Sequence, residues 1–170
     1  MISRYHGVAH RISEELAALD RLVARAERAM ALARQRPEDQ DLYLDSVALS
    51  LHDFYTAMER VFGHIASIVD GALPSGQDWH QELLRQMAGE RPGVRPAVIS
   101  EDTLLALDEY RRFRHVVRNI YAFQFDPVRL ERLVNGLASA LSRVRSELGS
   151  FADFLKRLAA TESEGSEPPE

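Results

Sequence analysis

Residues 126–158 read DPVRLERLVNGLASALSRVRSELGSFADFLKRL. Asp126 followed by Pro127 is a helix start: a side-chain acceptor at the N-cap, then a residue whose fixed φ suits the first helical position. From there Leu130, Val134, Leu137, Leu141, Val144, Leu148, Phe151, Leu155 and Leu158 recur in steps of four and three. That rhythm keeps one apolar stripe on one face of a long helix. Such a stripe calls for partner helices to cover it.

Working outward, the same rhythm appears twice more. Ile12, Leu16, Leu19, Val23, Ala26, Met30 and Ala33 mark a helix from about Ser3 to Arg34. Val47, Leu51, Phe54, Met58, Val61, Ile65 and Ile68 mark a second, which Gly71-Ala72-Leu73-Pro74-Ser75-Gly76 terminates. Arg36-Pro37-Glu38-Asp39 separates the two, because the residue before proline is pushed out of helical geometry. A short connection between long helices predicts antiparallel packing. A short helix over about Asp78–Ala88 carries Trp79, Leu83, Leu84 and Met87, and Glu90–Ile99, with Pro92, Gly93 and Pro96, reads as an extended loop. Ser100, followed by Glu101 and Asp102, is a helix start with carboxylates at the positive end of the dipole. The helix it opens is expected to reach about Ala122. No strand-like alternation of useful length occurs. The fold class is therefore all-α, an up-and-down bundle of four long helices and one short one, with residues 1–159 as one domain. Residues 160–170 form an acidic, proline-containing tail expected to be disordered.

Composition sets the bounds on function. The chain has 170 residues, 45% hydrophobic and 28% charged, a net charge of −5 and no cysteine. Disulfides, thiolate metal sites and cysteine nucleophiles are thereby excluded. No apolar run is long enough to span a bilayer, and the first residues lack a signal-peptide pattern, so a cytoplasmic protein with no membrane partner is expected. The net negative charge argues against nucleic-acid binding over the whole surface while leaving room for a local basic cleft.

Such a cluster lies at Arg111, Arg112, Arg114 and Arg118, four arginines within eight residues. On a helix they share a face with His115 and Asn119, while Tyr110, Phe113, Val116, Val117, Ile120 and Tyr121 share the other. Arginine recognises phosphate through planar, bidentate hydrogen bonds and stays charged at physiological pH. An imidazole beside bound phosphate suits metal-free RNA cleavage: a base activates the 2′-hydroxyl and guanidiniums stabilise the crowded phosphorane. Spacing alone leaves a second reading open, in which the basic face merely pairs with carboxylates on neighbouring helices. His6, His10 and Glu14 also align on one helical face and could hold zinc, but a solvated polar face is the simpler account, and no metal site is assigned. His52, His64 and His80 have no spaced partners and read as helix-surface or packing residues. No phosphate-binding glycine loop, nucleophile elbow or zinc-protease helix is present, and no cofactor is expected.

The pattern Arg114-x-x-x-x-Asn119-x-Tyr121 resembles the R-x-x-x-x-H-x-Y motif of HepT-type toxins in the HEPN superfamily. Asp45–Tyr55, Glu59-Arg60-Val61-Phe62, Asp70-Gly71, Trp79-His80 and Phe113–Arg118 are similar in type and order to such a domain, over roughly residues 40–158. The resemblance implies a helical bundle that forms a homodimer, with two motif copies meeting across a cleft. It also implies a metal-independent endoribonuclease acting as the toxin of a toxin–antitoxin pair. The implied partners are an RNA substrate and a minimal nucleotidyltransferase antitoxin that transfers AMP onto the motif tyrosine. Carried over by position, Arg114 engages the scissile phosphate, His115 is the polar residue after it, position 119 is the proton carrier and Tyr121 accepts AMP. Arg111 and Arg118 are the further phosphate contacts.

The chain departs from the motif at Asn119, where the family has histidine. Asparagine donates and accepts hydrogen bonds but carries no proton between the 2′-hydroxyl and the leaving oxygen near neutral pH. RNA cleavage is therefore expected to be impaired or lost, with phosphate binding and dimerisation kept. His115 is one turn from Asn119 and is the candidate to take over. Arg114 and Asn119 are roughly 140° apart at 100° per residue, so either the helix distorts near Asn119 or a second protomer completes the site. Arg114, Arg118 and Tyr121 do share a stripe, so AMP on Tyr121 would bring an anion to both arginines and block RNA. The alternative is a non-catalytic helical partner of a nucleotidyltransferase or nucleic acid.

Overall fold

Among the described residues five α-helices account for nearly all the regular structure: α1 (Arg4–Gln35), α2 (Gln40–His64), α3 (Trp79–Ala88), α4 (Glu101–Val117) and α5 (Pro127–Glu164). They come from a computed structural model that describes residues 4–119 and 124–164. Among the described residues no strand forms; the only β-type pairing is an isolated bridge between Arg91 and Arg95. The expected all-α bundle of four long helices and one short one is what the chain builds.

Every residue of the α1 seam from Ile12 to Ala33 is buried. Cross-links fix the direction of packing. Glu15 receives Arg60 at 3.1 and 3.2 Å, and the carbonyl of Ala33 receives Gln40 at 3.4 Å, so α2 runs antiparallel to α1. Ion pairs Asp20–Arg145 and Arg34–Glu131 set α5 antiparallel along α1 in the same way. Tyr110 donates to the Leu133 carbonyl at 2.8 Å and Thr103 to Glu147 at 3.0 Å, which lays α4 antiparallel to α5. The Phe54–Tyr110 ring pair, with centroids 5.4 Å apart, closes α4 onto α2. The core of these faces includes Phe54, Phe62, Leu51, Met58, Leu137, Val144 and Leu148, each essentially inaccessible to water.

Both expected N-caps form. The Ser100 hydroxyl accepts from the Thr103 amide at 3.2 Å and donates to Glu147 at 2.6 Å, and Asp126 Oδ1 accepts from the Val128 amide at 3.0 Å. Helix α5 runs on through Glu164, into the stretch read from sequence as the start of the tail.

Three local features were not expected from the sequence. Helix α2 continues into a wider π-type turn over Ile65–Val69, closed by the Asp70 amide on the Ile65 carbonyl at 3.2 Å. The wider turn rotates Val69 into the core and leaves Ile68, the next seam residue by count, half-buried. It also delivers Asp70 into a fully buried pair with Arg95, at 2.5 and 2.8 Å. Arg95 in turn donates to the carbonyls of Gln86, Gly89 and Pro96 at 2.9–3.0 Å, so the Gly89–Ile99 segment is an ordered clasp around one guanidinium rather than a plain extended loop. Gly93, at φ 75°, makes the tight reversal between Arg91 and Arg95 possible. The third feature is the early end of α4, which bears on the site.

Candidate functional site

Helix α4 stops at Val117 instead of continuing to about Ala122. Arg118 and Asn119 form a turn in which the Asn119 amide bonds the Val116 carbonyl at 3.0 Å. The Asn119 side chain donates to the His115 carbonyl at 2.9 Å, satisfying one of the acceptors a helix end leaves open. Arg114, His115 and Arg118 gather at this end, where the helix dipole favours positive charge. Of the two alternatives left open by the spacing, a departure from regular helix near Asn119 is seen, as the end of α4.

The basic end of α4 faces the start of α3. Between them lies a cleft of about 250 Å³ lined by Gln77, Asp78, His80, Gln81, Arg111, Arg114, His115 and Arg118. Four of the residues singled out from sequence, Arg111, Arg114, His115 and Arg118, are thus brought together. Arg112 faces elsewhere, largely exposed and paired with Asp108 at 3.0 Å. Asn119 does not line this cleft. Tyr121, with Ile120, Ala122 and Phe123, lies outside the described residues.

Carboxylates answer part of the arginine cluster, so the two sequence-level readings are each met in part. Arg111 Nε donates to Asp108 at 2.7 Å. Arg114 is held from α2: its Nε donates to Thr56 Oγ1 at 3.2 Å, and Nη2 lies 3.4 Å from Glu59 Oε1. Thr56 is oriented by its own bond to the His52 carbonyl at 2.9 Å. Among the described residues the Arg114 guanidinium, with its five N–H donors, makes this one hydrogen bond and this one ion pair. Arg118 and His115 are exposed at the cleft mouth, and Arg118 makes no ion pair among the described residues.

Glu59 ties a third element in. Its Oε2 accepts a short hydrogen bond from His80 Nδ1 at the head of α3, while Oε1 faces Arg114. Only 7% of the Glu59 side chain is exposed, so this carboxylate is anchored by its two cationic or hydrogen-bonding partners rather than by water. Trp79 stacks on the imidazole, with ring centroids 3.7 Å apart. Beneath the site the Tyr55 phenol is fully buried with no hydrogen-bond partner among the described residues. Burial, reinforced by the Glu59 carboxylate, pushes its ionisation well above the ordinary tyrosine range, so it stays neutral.

The residues that sequence reasoning missed are Thr56, Glu59 and His80. Glu59 did leave a trace: it occupies the stripe Tyr55, Glu59, Phe62, Ala66, an otherwise apolar set in steps of four and three. A carboxylate in a core stripe needs a buried partner. His80, read as a helix-surface or packing residue, carried no such mark, since its partner is 21 positions away.

Residues 46–155 match the model of a family described as HepT-like protein. The chain belongs to the HepT-like protein family. The match spans α2 to α5 and so contains the whole cleft, with α1 outside it as an added bundle member. Comparison with curated proteins and with solved structures returned no match. The strand-free bundle accords with the HEPN-type fold that HepT-like membership implies, and no helix among the described residues is long and apolar enough to cross a membrane. His10 and Glu14 approach to 3.6 Å on the exposed face of α1, a pairing typical of a solvated helix surface.

Proposed function

We propose that this HepT-like chain is a metal-independent endoribonuclease of the HEPN toxin type, impaired as it stands by Asn119. The observation that carries the reading is the cleft between α3 and α4, where Arg111, Arg114, His115 and Arg118 converge with His80. Arg114, fixed by Thr56 and Glu59, is the donor preorganised for the scissile phosphate. Arg118 and Arg111 engage the phosphate as it gains charge, and His115 supplies a further hydrogen bond at the mouth. In a homodimer, two such basic ends meet and form a longer RNA channel. Position 119 is the motif's proton carrier, and asparagine cannot serve there. AMP transfer to Tyr121 by a nucleotidyltransferase antitoxin would set an anion three residues beyond Arg118 and occupy the phosphate site.

A second reading, a non-catalytic partner of a nucleotidyltransferase or nucleic acid, draws on the Asn119 side chain, which is folded back onto the His115 carbonyl rather than into the cleft. Cleavage of an oligoribonucleotide in EDTA separates the two. The ribonuclease reading expects Asn119→His to cleave faster than the natural chain and Asn119→His/Arg114→Ala to lose that gain. Equal rates for the natural chain and Asn119→His remove position 119 from catalysis. No cleavage by any of the three favours the binding partner.

A further inference from the structure

We propose that the Glu59–His80 pair is the proton acceptor through which this chain retains slow RNA cleavage without a histidine at position 119. The inference rests on the ribonuclease reading above and assigns it a base from outside the sequence motif.

The geometry is that of a carboxylate-oriented imidazole. A carboxylate only accepts hydrogen bonds, so the contact from Glu59 Oε2 fixes the proton of a neutral His80 ring on Nδ1. Nε2 then carries the free lone pair, and it has no hydrogen-bond partner among the described residues. One quarter of the His80 side chain is exposed, against 7% for Glu59, so the carboxylate is sealed and the imidazole is reachable. His80 also lines the cleft that Arg111, Arg114 and Arg118 line. Trp79 stacked at 3.7 Å limits rotation of the ring. The second oxygen of Glu59 faces Arg114, so one buried group aligns both the base and the phosphate donor. His115 lines the same cleft, but no carboxylate orients its ring among the described residues.

The step balances without a metal or an oxidant. His80 Nε2 takes the 2′-hydroxyl proton as the 2′-oxygen bonds to phosphorus. Arg114 and Arg118 stabilise the charge on the non-bridging oxygens. The P–O5′ bond breaks with its electron pair on the 5′-oxygen, which takes a proton from water. The imidazolium gives its proton to the resulting hydroxide, leaving a 2′,3′-cyclic phosphate and a 5′-hydroxyl. Glu59 acts through His80 and is a positioning residue.

The test is the rate–pH profile for cleavage of a fluorogenic oligoribonucleotide in EDTA, with the full chain and its variants. His80→Gln is expected to lower the natural chain's slow rate about a hundredfold or more and to abolish the fall in rate at acid pH. Glu59→Gln is expected to lower the rate about tenfold, with Glu59→Asp closer to the natural chain. A cooperative thermal unfolding transition and an unchanged far-UV circular dichroism spectrum show that the His80 variant is folded. Long-range ¹H–¹⁵N spectra should report an Nδ1-protonated His80 that loses this preference in Glu59→Gln. An unchanged rate in His80→Gln overturns the assignment, as does an Nε2-protonated ring. If Asn119→His cleaves and the natural chain does not exceed Arg114→Ala, the dyad fails while the ribonuclease reading stands. If Asn119→His also fails to cleave, both fall together.

Discussion

Arg114 Nη2 on α4 lies 3.4 Å from Glu59 Oε1 on α2, with only 13% and 7% of the two side chains exposed. This contact joins the proposed phosphate donor of the cleft to the helix that holds the bundle's core, and it couples function to stability. Arg114→Ala is expected to destabilise the fold by about 1.5–3 kcal/mol, because the charged hydrogen bond to Thr56 Oγ1 and the ion pair with the desolvated Glu59 carboxylate are lost. In Glu59→Gln the same arginine substitution should cost much less. Urea unfolding of the two single variants and the double variant measures that coupling.

The Asp70–Arg95 pair makes a prediction with a sign in pH. Burial alone would raise the Asp70 carboxyl, but hydrogen bonds from Arg95 and Gln86 and the charges of Arg95 and Arg91 outweigh it and hold it below its ordinary value. A carboxyl depressed in the folded state contributes stability that is fully present above its unfolded value, about 3.9, and is lost as pH falls through the lower folded value. Asp70→Asn leaves the Arg95 guanidinium buried without its counter-charge and should cost about 3–5 kcal/mol at neutral pH. The gap between natural and variant chains should narrow in acid, as measured by thermal unfolding from neutral pH to below about 3.

Ser100 caps α4 and binds Glu147 as well as the Thr103 amide. Ser100→Ala is expected to destabilise by about 1–2 kcal/mol, at the upper end for a lost N-cap. Because the cap lies at the opposite end of α4 from the cleft, RNA affinity at a temperature where the chain is folded should stay unchanged. Urea unfolding and fluorescence anisotropy together check this.

Tyr121 follows Arg118 by three residues, so AMP on its hydroxyl would compete with RNA phosphate for the arginines. Tyr121→Phe is expected to abolish inhibition by a nucleotidyltransferase with ATP, with RNA affinity of the unmodified chain retained. Persistent inhibition of the phenylalanine variant would place the modification or the block elsewhere.

The fold was legible because α1, α2 and α5 bury seams that repeat in steps of four and three, and Ser100 and Asp126 mark helix starts with groups that satisfy open amides. The π-turn at Ile65–Val69 left no such pattern, and the partner it brings Asp70 to, Arg95, is 25 positions away. The end of α4 at Val117 was likewise hidden: the apolar period continues through Tyr121, while Asn119 folds its side chain back onto the His115 carbonyl. Within the site, the α4 residues were visible as a local charge cluster. Glu59 and His80 were not read as site residues, because their chemistry arises only when α2 and α3 meet.

The central claim is that the α3–α4 cleft binds RNA phosphate. The most direct measurement is the salt dependence of binding a non-cleavable 2′-O-methyl oligoribonucleotide to the natural chain, Arg118→Ala and Arg112→Ala. Arg118, in the turn that ends α4, lines the cleft, whereas Arg112, on α4 itself, lies outside it, paired with Asp108. The account predicts weaker binding and a salt slope reduced by about one for Arg118→Ala, with Arg112→Ala close to the natural chain. Equal losses for the two variants, or none for either, would contradict it.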